Sequence, residues 1–305
     1  MNHEMLSEQE PARSGLRDRV LALRAHGMFD GLDDDGLLML AERGGTTAYA
    51  DGDVVCVEDA APQAVFMVLE GEVVVSRHGT VVTVRGPGDA YGALPLLARA
   101  PSTLAVARGY TRLLEVPATA FEACLTENCS LLRNTLRGLG LSVLQTRGNL
   151  PVDPDKPRVL DEGTYYTQPR TFVERLIQLR QSPFGRINVD ALIDFARCMN
   201  EVRYPAGELL WQTGEPSTHA LHIDAGRVRC TTPDGRSVAV AMGFTIGVLD
   251  VWSRARVYEA RAETPLIAFR VDFENFLALL ESHPEVGLEL LRGFARDLLS
   301  ARGGG

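Results

Sequence analysis

The stretch YADGDVVCVEDAAPQAVFMVLEGEVVVS, starting at Tyr49, aligns without a gap on YPAGELLWQTGEPSTHALHIDAGRVRCT, starting at Tyr204. The same offset of about 155 residues lays Phe29 on Phe184, Leu37 on Leu192, Gly52 on Gly207, Phe66 on Leu221, Gly71 on Gly226, Gly92 on Gly247 and Phe121 on Phe276. A chain that repeats itself at this distance should fold as two copies of one unit. Its 305 residues suffice for two ordinary domains.

Each unit reads in the same order. A helix is predicted over 14–26 and again over 170–182, and a second helix follows, with Asp33 or Asn188 placed to accept a hydrogen bond from its first turn. Strands come next: VFMVLEGEVVVS is a β-branched, apolar run, followed by the hairpin signals RHGT in the first unit and TPDGR in the second. Short strands at close spacing, ending in RLLEVP or LIAFRV, predict an antiparallel jelly roll, so the fold class is mainly β with flanking helices. The closing helices, CSLLRNTLRGLGLSVLQ and PEVGLELLRGFARDLLSA, carry apolar stripes at Leu132, Leu136, Leu139 and Val143, and at Leu291, Phe294 and Leu298. The predicted division is 14–146 for the first domain, 147–169 for a Pro- and Asp-rich linker, ordered or semi-flexible, and 170–301 for the second domain.

Composition narrows the partners. A formal charge of −9, with 40 acidic against 31 basic residues, disfavours a nucleic-acid surface. No run reaches the roughly 20 apolar residues that cross a bilayer, and the N-terminus lacks the apolar core of a secretory signal, so neither membrane insertion nor export is expected and the location is read as cytoplasmic. Cys56, Cys124, Cys129, Cys198 and Cys230 form no CxxC pair and read as reduced, buried thiols. His219 and His222 stand three apart on a predicted strand, which turns them to opposite faces and argues against a shared metal. No constellation of nucleophile, base and orienting group emerges, so no catalysis is expected.

The order of elements, with DGDVVCVEDA and AGELLWQTGE as turns into the second strand and FMVLEGEVVV and LHIDAGRVRC as glycine-centred strand pairs, resembles the cyclic-nucleotide-binding domain family, twice over. That resemblance implies a phosphate-binding cassette in each unit, in which a Gly-Glu pair holds the ribose and an arginine about ten residues later meets the cyclic phosphate, aided by backbone N–H groups. In the first cassette Gly92 is followed by Ala93, and Ser102, beside Thr103, stands in the arginine slot. In the second, Gly247 is followed by Val248 and Leu249; Arg256 takes the slot, with Arg254 as a possible assistant. Strand parity favours Arg256 over Val257: Arg256, Tyr258, Ala260 and Ala262 form one face, against the mostly charged Val257, Glu259, Arg261 and Glu263. The same parity sets Ser102 on an inner face with Leu104 and Val106.

Loss of two charge-assisted contacts weakens binding by about 3 to 6 kcal/mol, a hundred- to ten-thousand-fold. The first cassette is therefore expected to bind no cyclic nucleotide. The expectation for the whole chain is a non-catalytic regulatory or scaffold protein of bacterial type, without DNA-reading helices, acting on an unidentified protein partner and self-associating through a closing helix. The alternative is a sensor of a cyclic nucleotide or other anion through the second cassette; otherwise no cofactor is implied.

Overall fold

The computed structural model describes residues 4–25, 29, 32–156 and 158–301. His26 and residues 302–305 lie outside them. In the first unit, α1 (Glu4–Ala25) and α2 (Asp34–Arg43) precede β1 (Gly45–Tyr49), β2 (Val54–Cys56), β3 (Ala64–Arg77), β4 (Thr80–Arg85) and β5 (Ala90–Tyr91). Then come α3 (Ala93–Ala98), β6 (Leu104–Pro117), α4 (Ala118–Glu127) and α5 (Cys129–Thr146). The second unit repeats this with α6 (Phe172–Gln181), α7 (Val189–Cys198), β7 (Asn200–Tyr204), β8 (Leu209–Trp211), β9 (His219–Ala225), β10 (Val228–Thr231) and β11 (Ser237–Val240). It ends with β12 (Thr245–Ile246), β13 (Glu259–Ala262), β14 (Leu266–Asp272), α8 (Phe273–Ser282) and α9 (Pro284–Ala301).

Local chemistry explains the starts and turns. Asp33 accepts a hydrogen bond from Gly36 N–H at 2.8 Å and Asn188 one from Ala191 N–H at 2.7 Å, so each caps its helix. Thr171 and Glu174 form a reciprocal capping box at the start of α6. The first helix begins at Glu4, ahead of the predicted start, because the polar segment before it is rich in helix formers. At Gly71 and Gly226 the chain folds over a neighbouring strand: φ is +80° and +97°, and a Cβ would stand 2.3 Å from the Tyr110 carbonyl oxygen and 2.2 Å from that of Pro265. Only glycine fits at this corner of the roll.

In the first unit the strands run in the order β1-β6-β3-β4, with β2 also on β6 and β5 also on β3; every pairing is antiparallel. The long β3 and β6 each serve both layers of the roll. Its interior is Phe66, Val68, Val73, Val75, Ala105 and Leu113, while α2 and α4 pack on the outer side of β6. The second unit separates the layers into β11-β10-β13-β8 and β12-β9-β14-β7. Its interior is larger and includes Trp211, Leu221, Ile223, Val228, Val240, Ile246 and Tyr258.

Firstly, contacts divide the chain into the part up to Leu136 together with the part from Leu290, and Arg137–Glu289; these limits fall inside α5 and α9, which end at Thr146 and Ala301 where the two domains are expected to end, and the predicted linker lies in the second unit. Met242 N–H donates to the Asp161 carbonyl at 3.0 Å and Gly226 N–H to that of Glu162 at 2.7 Å, while Arg170 grips the buried Asp224 at 2.7 and 3.3 Å. Secondly, the apolar stripes are already covered within one chain: Leu132, Leu136 and Leu291 are 0% exposed. The other stripe residues are buried too, except Leu139, which is half-buried. Thirdly, of the five free cysteines only Cys124 and Cys230 are buried; Cys56, Cys129 and Cys198 are half-buried. No helix among the described residues is long and apolar enough to cross a membrane.

Candidate functional site

Alternation along the strand entering β13 brings Arg256 inside. Arg256, Tyr258, Ala260 and Ala262 are buried, whereas Val257, Glu259 and Glu263 are half-buried and Arg261 is exposed. A charge cannot enter such a core alone. The Arg256 guanidinium lies over the Trp211 ring, 3.9 Å from its centroid, donates from Nη2 to the His219 carbonyl at 2.7 Å, and donates from Nη1 to Asp250 Oδ1 at 3.2 Å. The backbone of the cassette fits around it. Gly247, with φ +80°, has no room for a Cβ, which would stand 2.7 Å from Arg256 Nη1, and its N–H donates to the Tyr258 hydroxyl at 2.8 Å.

Asp250 opens the short 3-10 turn Asp250–Ser253 and is fully buried. Burial holds its carboxyl above the usual carboxylate range, against the downward pull of Arg256. Among the described residues its Oδ2 has no hydrogen-bond partner. The His219 imidazole is pushed down to about 4, by burial first and then by Arg256 and Arg270. The one cation in this cassette that could meet a phosphate is thus already paired by a carboxylate of the same cassette. A phosphate at Arg256 would have to displace Asp250 or lie beside a like charge.

Of the other expected residues, Val248 is half-buried and Leu249 buried, while Arg254 is exposed, with φ +66°. The structure does not bring Arg254 to Arg256. His219 shares the inward parity of Leu221 and Ile223; His222, on the other face of β9, has Nδ1 2.9 Å from Thr245 Oγ1. Trp252 packs edge-on against Phe273, with centroids 5.1 Å apart.

In the first cassette, Gly92 has φ +89° and leads into α3, whose first residue, Ala93, is buried. Ser102 occupies the same backbone position as Arg256. Its N–H donates to the Ala60 carbonyl at 2.8 Å and its carbonyl accepts from Asp59 N–H at 2.9 Å, while Arg256 makes the same pair with Glu215 and Gly214, each at 2.8 Å. The expected parity beyond Ser102 is wrong, however. Ala105 pairs with Cys56 as Ala260 pairs with Trp211, so one residue fewer separates the slot from its strand in the first unit. The slip turns Ala105 and Ala107 inward, and Leu104 and Val106 are half-buried. Ser102 and Thr103 are also half-buried.

Sequence reasoning missed Asp250 and Trp211, and placed Tyr258 on the face of Arg256 without giving it a role. The available signal was a lone acid in the apolar run IGVLDVW.

The description "Cyclic nucleotide-binding domain" matches residues 46–128 and again 201–283, more than half of the chain. The chain belongs to this family. An uncharacterized NTE family protein of Mycobacterium tuberculosis is 32% identical over 127 residues, 41% of this chain and 22% of that protein. The chain thus spans about a fifth of the length of the curated relatives it matches. Among solved structures it is similar to the regulatory domain of Toxoplasma gondii PKA with cAMP, with 18% identity, 94% and 96% of the two chains covered and a TM-score of 0.37. It is also similar to the regulatory subunit of a cAMP-independent protein kinase A from Trypanosoma brucei, with 14% identity, 94% and 90% coverage and a TM-score of 0.39.

Proposed function

We propose that this chain is a non-catalytic regulatory module that acts on a protein partner through contact, with its second cyclic nucleotide-binding domain held together by its own carboxylate rather than by a nucleotide. The observation that carries this reading is the buried pair of Asp250 and Arg256. In the cyclic-nucleotide pocket that the family resemblance implies, the slot cation and the carboxylate after the glycine both face the ligand. Here Val248 and Ala93 replace the carboxylates, Ser102 replaces one cation, and Asp250 neutralises the other. The matched region forms about a fifth of its curated relatives, which agrees with a module that serves other domains or proteins. Sensing through the second cassette would require Asp250 to release Arg256. Calorimetric titration of the intact chain with cAMP and cGMP tests the reading: no heat of binding that depends on Arg256 is expected. Micromolar binding lost on Arg256→Ala would overturn it in favour of a sensor.

A further inference from the structure

Cross-strand pairing sets the two interiors side by side. In the second unit Val228 pairs with Val240 and Ala262, and Cys230 with Val238 and Ala260. In the first, Val73 pairs with Arg85 and Ala107, and Val75 with Thr83 and Ala105. Directly paired residues share a face of the sheet. Arg85 and Thr83 therefore point into the first roll where Val240 and Val238 point into the second. By the same registers Cys56 stands in the place of Trp211, and Tyr91 in that of Ile246. Thr103 precedes β6 where Tyr258 precedes β13.

Burial follows this change of chemistry. Val240 and Ile246 are 0% exposed and Trp211 2%, whereas Arg85, Thr83, Tyr91 and Cys56 are all half-buried although they point inward. The side chains that face the first roll thus keep part of their surface exposed, where bulky ones shut the second. β4 has its polarity reversed, with Thr83 and Arg85 inside and Val82 and Val84 exposed. Two polar atoms inside have no hydrogen-bond partner among the described residues, Arg85 Nε and the Tyr91 hydroxyl. Buried groups left in this state are costly unless something else satisfies them. The lining also offers a flat wall, the Phe66 and Tyr91 rings stacked at 4.9 Å and 12°, and an acceptor, Glu115, which pairs with Phe66 and takes a hydrogen bond from Tyr49 at 2.6 Å.

We infer that the first jelly roll, rather than the second, holds a small-molecule site for an aromatic anion, with Arg85 on β4 binding its carboxylate or phosphoryl group, the Phe66–Tyr91 pair facing its ring, and Glu115 accepting from a hydroxyl. The site does not use the slot occupied by Ser102, and it goes beyond contact-based regulation, since these ligands would bind with or without a protein partner.

The test is titration of the intact chain with 4-hydroxybenzoate and with phenyl phosphate, followed by ligand-observed NMR; the stronger binder identifies which anionic group the site takes. At least one should bind at millimolar concentration or below. Arg85→Val and Cys56→Trp each install the residue of the second unit, and each should weaken that binding by about tenfold or more, the worth of one charge-assisted hydrogen bond or of a filled interior. Arg256→Ala, in the other unit, should leave it unchanged. Should a variant fail to fold, the parent still decides: the bound probe should slow reaction of Cys56 with a maleimide, read by peptide mass mapping, without protecting Cys129 or Cys198. Absence of binding by both probes, binding that survives Arg85→Val, or Cys56 reacting equally fast in saturating probe would each overturn the proposal.

Discussion

Asp250 Oδ1 lies 3.2 Å from Arg256 Nη1, and the two side chains are 0% and 1% exposed. Each makes the other's presence tolerable: a charge in this interior is sustained only with its partner, and the partner comes from the turn that would otherwise face a ligand. The arrangement makes the second cassette a part of the core.

The energetic consequence is measurable. Removing one member leaves a buried charge unpaired, so Asp250→Ala and Arg256→Ala should each lower stability by about 3 to 5 kcal/mol. The double replacement Asp250→Ala with Arg256→Ala should cost far less than the two single changes together, since it leaves no charge behind. Urea denaturation of the four proteins completes the cycle. Additive losses would show that the pair is not coupled.

Acid should act on the same region through β9. The folded pKa of His219, about 4, lies below the ~6.5 of a free imidazole, so the folded protein binds fewer protons than the unfolded chain between these values. His219 therefore contributes its full stability above about pH 6.5 and loses it as the pH falls toward 4. Burial pushes His222 in the same direction, whereas Asp250, held above its usual range, acts oppositely. The informative quantity is the difference between parent and His219→Gln, whose melting temperature should fall less on acidification from about pH 7 to about pH 4.5. Equal slopes would contradict the assignment.

The inward course of Arg256 was legible in the sequence because four small or buried residues alternate with charged ones, and a strand obeys a period of two. Asp250 was not, since no periodicity reveals that a carboxylate in a 3-10 turn folds back under a strand several residues later. The slot at Ser102 was legible, but the inner face beyond it was not. A one-residue difference between slot and strand is invisible until Ala105 is seen to pair with Cys56. Arg85 escaped notice for a related reason: TVVTVR reads as a solvated strand until its partner Val73 shows which face is inside. The stripes of α5 and α9 were plain as apolar helices, but periodicity does not say what covers them.

The segment ahead of α6 offers a third test. Asp224 is 2% exposed and accepts from Arg170 at 2.7 Å and from Gln178, while the Tyr166 ring lies 4.6 Å from the Arg170 guanidinium. With this anchor in place Arg158 and Arg170 should resist trypsin. In Asp224→Ala both should become earlier cleavage sites, because the segment loses the buried end of its anchor and is left with Glu201, Arg203 and its backbone contacts with Met242 and Gly226. Unchanged cleavage would mean that the remaining contacts hold the segment without Asp224.

The two cassettes should respond differently to repair. Ser102 makes the backbone bonds that Arg256 makes, so Ser102→Arg places a guanidinium at the slot. Pro95 stands at the offset where the second unit has Asp250, so the turn of the first cassette supplies no carboxylate to claim it. Ala93→Glu with Ser102→Arg should therefore create cAMP binding in the first unit, gaining about 3 to 6 kcal/mol from two charge-assisted contacts, or a hundred- to ten-thousand-fold. Val248→Glu alone should gain little in the second unit, because Asp250 still holds Arg256 and a second carboxylate adds repulsion. Adding Asp250→Ala to Val248→Glu should release the cation and raise the affinity. Calorimetry on the three variants separates these outcomes: if Val248→Glu alone bound cAMP as tightly as it does with Asp250 removed, the carboxylate would not be what keeps nucleotide out.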